Sequence, residues 1–283
     1  MGQNFTLAER IRSPVVEGLF YPENKAGILS MLSGSSLIPG RGEQAAAVVA
    51  PHAAWEISGS IAESALSAAA GRNGANDPLW IVLMGPIHDT REDGLFLSDS
   101  HFFRTPLGDI QVEREISEEL ASCSAFFEIN DIPHLREHSI EVLLPFIKYG
   151  FPKAKIIPIL MGNPRPALIS ALAKALRVVF EPVMDHALLV ISSNLSIDAD
   201  EIHSLQQAEE CIRLLLEKDA DAFIAGMTEG RLKPCGGGLM VSLLESGLVD
   251  STRARLLTKP LQRGQGEDGE VVYLGALSYE SVR

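Results

Sequence analysis

The feature that most constrains this chain is a recurrence of short, apolar, β-branched runs with helix-patterned stretches between them. Residues 46–50, 79–84, 155–161, 187–191 and 271–278 are nearly continuous apolar runs. That pattern fits strands covered on both faces. The stretches 59–72, 140–149, 167–180 and 201–218 carry apolar positions three or four apart, the spacing of a one-sided helix. The alternation predicts an α/β fold with a central sheet flanked by helices. Segments 94–98 and 107–112, separated by a proline-containing stretch, read as an added hairpin or sheet extension, which would make the sheet mixed. A Gly- and acid-rich loop is expected at 264–269. No linker or internal repeat divides the chain, so one domain over 1–283 is expected.

Polar residues fall where such strands end. Ala-Val-Val-Ala-Pro leads into His52, Ile-Val-Leu-Met-Gly-Pro-Ile into His88, and Leu-Leu-Val-Ile delivers Ser192, Ser193 and Asn194. Ligands of α/β sheets bind beyond the carboxyl ends of the strands, so these residues are candidates for one shared site. A proline one or two residues before each histidine holds the backbone extended, which suits a side chain that must be aimed. Two imidazoles and one anionic group make a minimal metal site with positions left open. Cys235 is the candidate third donor: Pro-Cys-Gly-Gly-Gly precedes a short helix expected at 239–245, and a helix N-terminus favours the thiolate. The competing reading has Cys235 packed as a small hydrophobe and the glycines merely turning the chain.

His134-Leu-Arg-Glu-His138 spells H-x-x-E-H, a signature of inverted zinc proteases, and supports a zinc hydrolase as a minor alternative. His138 is better read as an acid/base group at the start of a helix over 139–149, oriented by Glu137 and Glu141. Capping of that helix start is the bland alternative. A formal net charge of -13 disfavours nucleic acid and anionic membrane as partners. Three widely spaced cysteines form no disulfide framework and suit a reducing compartment. No apolar run approaches the roughly 20 residues that span a bilayer, and a cytoplasmic protein is expected. The Met1-Gly2 start with Thr6 fits a myristoylation pattern short enough to arise by chance.

Arg12-Ser-Pro-Val-Val-Glu-Gly-Leu-Phe-Tyr-Pro22, Pro51-His-Ala-Ala-Trp-Glu-Ile-Ser-Gly59, Gly85-Pro-Ile-His88, Thr105-Pro-Leu-Gly-Asp109, Glu137-His-Ser-Ile-Glu141, Cys235-Gly-Gly-Gly and Leu277-Ser-Tyr279 occur in one order. In that order they resemble the Memo family, whose prokaryotic members are called AmmeMemoRadiSam system protein B. The resemblance implies the fold of class III extradiol dioxygenases, which use non-haem Fe(II) to open catechol-type rings, and a pocket lined by His52, His88 and Cys235. A thiolate in place of the dioxygenase carboxylate favours copper or zinc over iron, so Fe, Cu and Zn are all candidate cofactors. Family members usually carry an aspartate and, three residues on, a histidine after the serine pair. Here those positions are Asn194 and Ile197. Pro-His-Ala-Gly-Tyr is likewise altered to Ala54 and Trp55, which would reshape the pocket wall. The resemblance thus implies a cleft for a metal and a small molecule or peptide, with a protein partner also possible. His138 and Asn194 are its catalytic candidates, and Trp55, Ser192 and Ser193 its substrate-binding candidates. The two departures make binding without turnover the leading reading, and a dioxygenase-like oxidoreductase acting on a small aromatic substrate the alternative.

Overall fold

The computed structural model describes residues 9–72, 79–89, 91–259, 261–266 and 269–281; the myristoylation pattern lies outside them. The expected runs become strands β1 (Ala45–Ala50), β2 (Trp80–Pro86), β3 (Leu95–Leu97), β5 (Lys155–Met161), β6 (Ala187–Ser192) and β8 (Leu277–Ser281), and two strands the sequence reading did not foresee, β4 (Phe127–Ile129) and β7 (Thr252–Leu256), add the edges. They form one sheet in the order β7-β8-β1-β6-β2-β5-β3-β4. The four central strands are parallel, whereas β8 joins β1, and β3 joins β5, in antiparallel fashion. The sheet is therefore mixed.

Alternate residues of the central strands serve two cores. Val82, Met84, Leu189 and Ile191 face one layer, with helices α2 (Pro166–Phe180), α3 (Glu201–Glu217) and α4 (Gly237–Glu245). Ile81, Leu83, Leu188 and Val190 face the other, where α1 (Trp55–Ser67) supplies Ile61 and Leu66. Burial on both faces explains why these strands read as continuous apolar runs rather than alternating ones. No helix among the described residues is long and apolar enough to cross a membrane.

Four expectations are corrected. The run 271–278 is two strands: Val271–Leu274 pairs with Ser196–Asp198 and Gln262–Gln265 in a small antiparallel sheet, and only Leu277–Ser281 joins the main one. Ala276 turns the chain between them, its carbonyl accepting from Leu257 N–H and its N–H donating to Thr258 Oγ1. Gly264 is part of the Gln262–Gln265 strand and so not loop. Of the two forms expected for segments 94–98 and 107–112, the hairpin does not occur and the sheet extension does for the first: β3 extends the main sheet, whereas Ile110–Gln111 pairs with Phe102–Phe103 beside Ile11–Arg12. The helix expected from 139 begins later, as a 3-10 turn at Glu141–Leu143 that continues into Leu144–Gly150. Glu137 captures the N–H groups of His138 and Ser139 in its own turn, and Pro145 takes a first-turn position that needs no N–H donor.

Candidate metal centre

β1, β6 and β2 are neighbours running in one direction, with Ala50 opposite Ser192 and Met84 opposite Ile191. Their carboxyl ends therefore deliver His52, Asn194 and His88 to the same edge of the sheet. Cys235 reaches that edge from the other side, two residues before α4. One donor atom from each of His52, His88 and Cys235 lies within 4.8 Å of the others. The sequence reading of three converging groups is what the fold assembles.

Each imidazole is held by its outer nitrogen. The Ser192 hydroxyl donates its single proton to the Ser139 carbonyl at 2.5 Å. His52 Nδ1, 2.8 Å from the same oxygen, must then be the protonated nitrogen. That tautomer leaves the lone pair on Nε2, which lies 3.3 Å from Cys235 Sγ. His88 is gripped twice by Glu137: its Nδ1 lies 2.9 Å from Oε1 and its backbone N–H donates to Oε2 at 2.7 Å. Oε1 also accepts the N–H groups of His138 and Ser139, at 2.8 and 2.7 Å. A carboxylate behind a ligating histidine fixes the ring and makes it a stronger donor.

The electrostatics follow from this chain of contacts. Burial alone would raise the Glu137 carboxyl, but its hydrogen bonds with His88 and the charge on that ring hold it at about 2. Burial alone would lower His88, yet Cys235 and Glu137 on either side raise it to about 10. Burial would likewise raise the Cys235 thiol, but His52 and His88 hold it well below its ordinary value. Asn194 N–H donates to the sulfur at 3.0 Å.

The three donors fit a metal ion. A tetrahedral ion with Zn–S near 2.3 Å and Zn–N near 2.0 Å sets its sulfur and nitrogen donors roughly 3.5 Å apart, close to the 3.3 Å between Cys235 Sγ and His52 Nε2. His138 stands beside the triad: its ring stacks on His88 at 4.7 Å between centroids and meets His52 edge-on at 5.8 Å. Burial pushes it down to about 4, so it is neutral near pH 7. His88, Glu137 and His138 form a second group of donor atoms within 4.8 Å, overlapping the first.

The remaining candidates sit behind the donors. Ser192 and Ser193 are fully buried. Ser192 ties His52 to Ser139, while the Ser193 hydroxyl donates to Asn194 O and accepts Gly236 N–H at 2.8 Å. Asn194 Oδ1 accepts the backbone N–H of His52 at 3.3 Å. Trp55 is a core residue: its indole stacks on Phe146 at 4.0 Å and donates to Val142 O. The glycines after Cys235 serve packing. A Cβ would lie 2.7 Å from Ser193 Cβ at Gly236, 2.4 Å from Met227 Sδ at Gly237 and 2.6 Å from Pro164 Cβ at Gly238. Gly85 is similarly required, since a Cβ there would meet Ser139 Oγ at 2.4 Å.

Sequence reasoning assigned one acidic residue, Glu141, the wrong task. Glu137 reaches His138, whose Nδ1 is 3.4 Å from Oε1, but holds His88 more closely, at 2.9 Å. Glu141 does not reach His138; it accepts Tyr21 OH and the N–H groups of Val15 and Val16, and pairs with Arg12 Nη1. Arg12, which was missed, is 1% exposed and also donates to the carbonyls of His134 and Glu137. The available signal was thin, a lone arginine that ends the two-residue strand Ile11–Arg12 and that has to find anions if buried. The H-x-x-E-H pair does not assemble. His134 is buried against Phe103, its Nε2 donates to Phe96 O, and it joins neither donor group among the described residues. The zinc hydrolase reading therefore loses its ligand pair.

Comparison with known proteins agrees with the motifs. The profile of a family described as Memo-like protein matches residues 12–277. A MEMO1 family protein of Thermotoga neapolitana is 29% identical over 249 residues, covering 84% of this chain and 88% of that one. One from Nitrosopumilus maritimus is 27% identical, covering 95% and 99%. A crystal structure of an uncharacterized Escherichia coli K12 protein is similar at a TM-score of 0.39 and 13% identity, covering 71% of this chain and 86% of that one, too slight to carry an argument. With a family profile spanning nearly its whole length, this chain belongs to the Memo family.

Proposed function

We propose that this Memo-family chain is a metal-binding protein that holds one Cu, Zn or Fe ion on His52, His88 and Cys235, and that it binds a small molecule or peptide at the ion's open side with little or no turnover. The single observation carrying this reading is that both imidazoles are anchored through Nδ1, by Ser192 and Glu137, which directs both Nε2 atoms to the thiolate. A soft thiolate with two imidazoles favours copper or zinc. Beside Cys235 a cleft of about 170 Å³, walled by Pro86, Ile87, Met161, Pro164 and Leu239, gives a ligand a small, mostly apolar place to sit. Ser192 and Asn194 are positioning residues here. Ile197 lies in the small sheet opposite Val272 and offers no proton-transfer group. The test is anaerobic reconstitution with Fe(II), Cu(I) and Zn(II), followed by elemental analysis and X-ray absorption. One ion with a sulfur neighbour, lost in Cys235→Ala, is expected; no retained ion from any of the three overturns the reading.

One observation favours a second reading, a dioxygenase-like oxidoreductase acting on a small aromatic substrate. His138 is uncharged near pH 7, as its value of about 4 requires, and its ring rests on a ligand ring, so it can take up a proton beside the ion. Such an ion would supply the activation of O2. Oxygen consumption with catechol-type compounds that disappears in His138→Gln while metal content is kept would establish this reading over the first.

A further inference from the structure

Asn194 stands between two of the three donors. Its backbone N–H donates to Cys235 Sγ at 3.0 Å, and its Oδ1 accepts the backbone N–H of His52 at 3.3 Å. The second bond fixes the amide, because the reversed side chain would set Nδ2 against the His52 N–H, donor against donor. Both N–H bonds of Nδ2 are left without an acceptor among the described residues. Asn194 is half-buried, and the buried side-chain N and O atoms without a partner among the described residues belong to His134 and Gln207. Nδ2 is therefore an unspent donor that a ligand can reach.

The carboxylates of the neighbourhood are engaged elsewhere. Glu137 is spent on His88 and on the N–H groups of His138 and Ser139, and Glu141 is turned toward Arg12. The next step rests on the metal-binding reading above. A divalent ion held by one thiolate and two neutral imidazoles keeps a positive charge unbalanced, and that charge favours an anion at its open position. We infer that Asn194 makes the centre selective for a small carboxylate, one oxygen of which sits on the ion while the other accepts a hydrogen bond from Nδ2. An aspartate in the same place would keep the acceptor for His52 N–H but would meet the incoming anion with a negative charge and no donor.

The test uses the full chain loaded with Co(II), a visible stand-in for Zn(II), titrated with acetate and separately with imidazole, which binds a metal through one nitrogen and brings no second acceptor atom. Acetate should shift the d–d bands and saturate. Asn194→Ala should weaken acetate about tenfold or more, the loss expected for a hydrogen bond to a charged group, and leave imidazole unchanged. Asn194→Asp should lose acetate while still taking imidazole, and it serves alone if the alanine variant does not fold. Circular dichroism and metal content per folded molecule are read for each. Acetate binding unchanged in either folded variant overturns the inference. Acetate and imidazole weakened alike also overturns it, reducing Asn194 to a positioning residue. Acetate that fails to bind a protein holding its ion overturns it and leaves the metal site standing, whereas a chain that takes up no ion overturns the metal-binding reading and this inference with it.

Discussion

Glu137 and Glu141 lie four residues apart, are both almost wholly buried and both collect several donors, yet they serve different ends of the molecule. Glu137 takes the ring and backbone of His88 and the amides of its own turn. Glu141 takes Arg12, Tyr21 and the amides of Val15 and Val16, 120 or more residues away in sequence. One carboxylate aims a histidine of the proposed metal site, and the other staples the N-terminal segment to the loop that carries the first. Arg12 links the two, donating to the side chain of Glu141 and to the backbone of Glu137. The comparison teaches that a buried carboxylate in a motif is informative about function only once its donors are known.

The strongest way to break the comparison is to remove the staple. Glu141→Ala leaves the Arg12 guanidinium, 1% exposed, without its anion, and losing one partner of a buried pair costs about 3–5 kcal/mol. Chemical denaturation should show a loss of that size, while the protein that remains folded still takes up its metal. Equal loss of metal per folded molecule would mean that the staple and the donor scaffold are one unit.

Next in size is an effect on the Arg12 side that pH should expose. Burial depresses His134 from 6.5 to about 4, so between those values the unfolded chain binds the extra proton. The stability carried by neutral His134 is complete above about pH 6.5 and is lost as pH falls toward 4, by roughly 3 kcal/mol in all. Denaturation midpoints across that window measure it, and His134→Gln, which retains an N–H donor for Phe96 O, should flatten the slope. Glu137, depressed from 4.5 to about 2, has the opposite charge type but the same sign of dependence. Its contribution is present above pH 4.5 and disappears below, so the two windows scarcely overlap.

Glu137→Gln sharpens the comparison from the metal's side. The amide is nearly isosteric, but one of its ends is a donor and cannot accept both the His88 N–H groups and those of residues 138 and 139. Loss of such a backing carboxylate costs metal affinity about 10- to 100-fold, read by competition with a chromophoric chelator. A Glu137→Gln protein with unchanged affinity would reduce that carboxylate to a turn-forming role like that of Glu141.

What the sequence disclosed and what it hid divide along the same line. The central strands and the convergence of His52 and His88 were legible because strand burial and strand ends are local patterns, set by adjacent residues. Cys235 was weaker, since its approach from α4 depends on close packing at Gly236, Gly237 and Gly238 that only the fold displays. The run at 271–278 hid its break because both halves are apolar and its one local signal, Gly275, is a single residue, placed where a Cβ would meet Leu195 Cδ1 at 2.7 Å. The partners of Glu137 and Glu141 were hidden for a stronger reason. His88 and Arg12 are reached through long-range closure, and nothing in Glu-His-Ser-Ile-Glu itself says which carboxylate faces which.

The smallest predicted effect tests the weaker of the two ring anchors. Ser192 is neutral and fixes His52 through one hydroxyl, whereas His88 is fixed by a charged carboxylate through two contacts. Hydrogen bonds to charged groups contribute about 1.5–3 kcal/mol and neutral ones nearer 1. Ser192→Ala should therefore weaken metal binding only about fivefold, less than Glu137→Gln. It frees the His52 ring to exchange tautomers, an exchange visible in imidazole nitrogen NMR of the metal-free protein. It also leaves the Ser139 carbonyl without its donor, so a small loss of stability should accompany it. If Ser192→Ala cost as much affinity as Glu137→Gln, the tautomer of His52 and not the charge behind His88 would govern the centre.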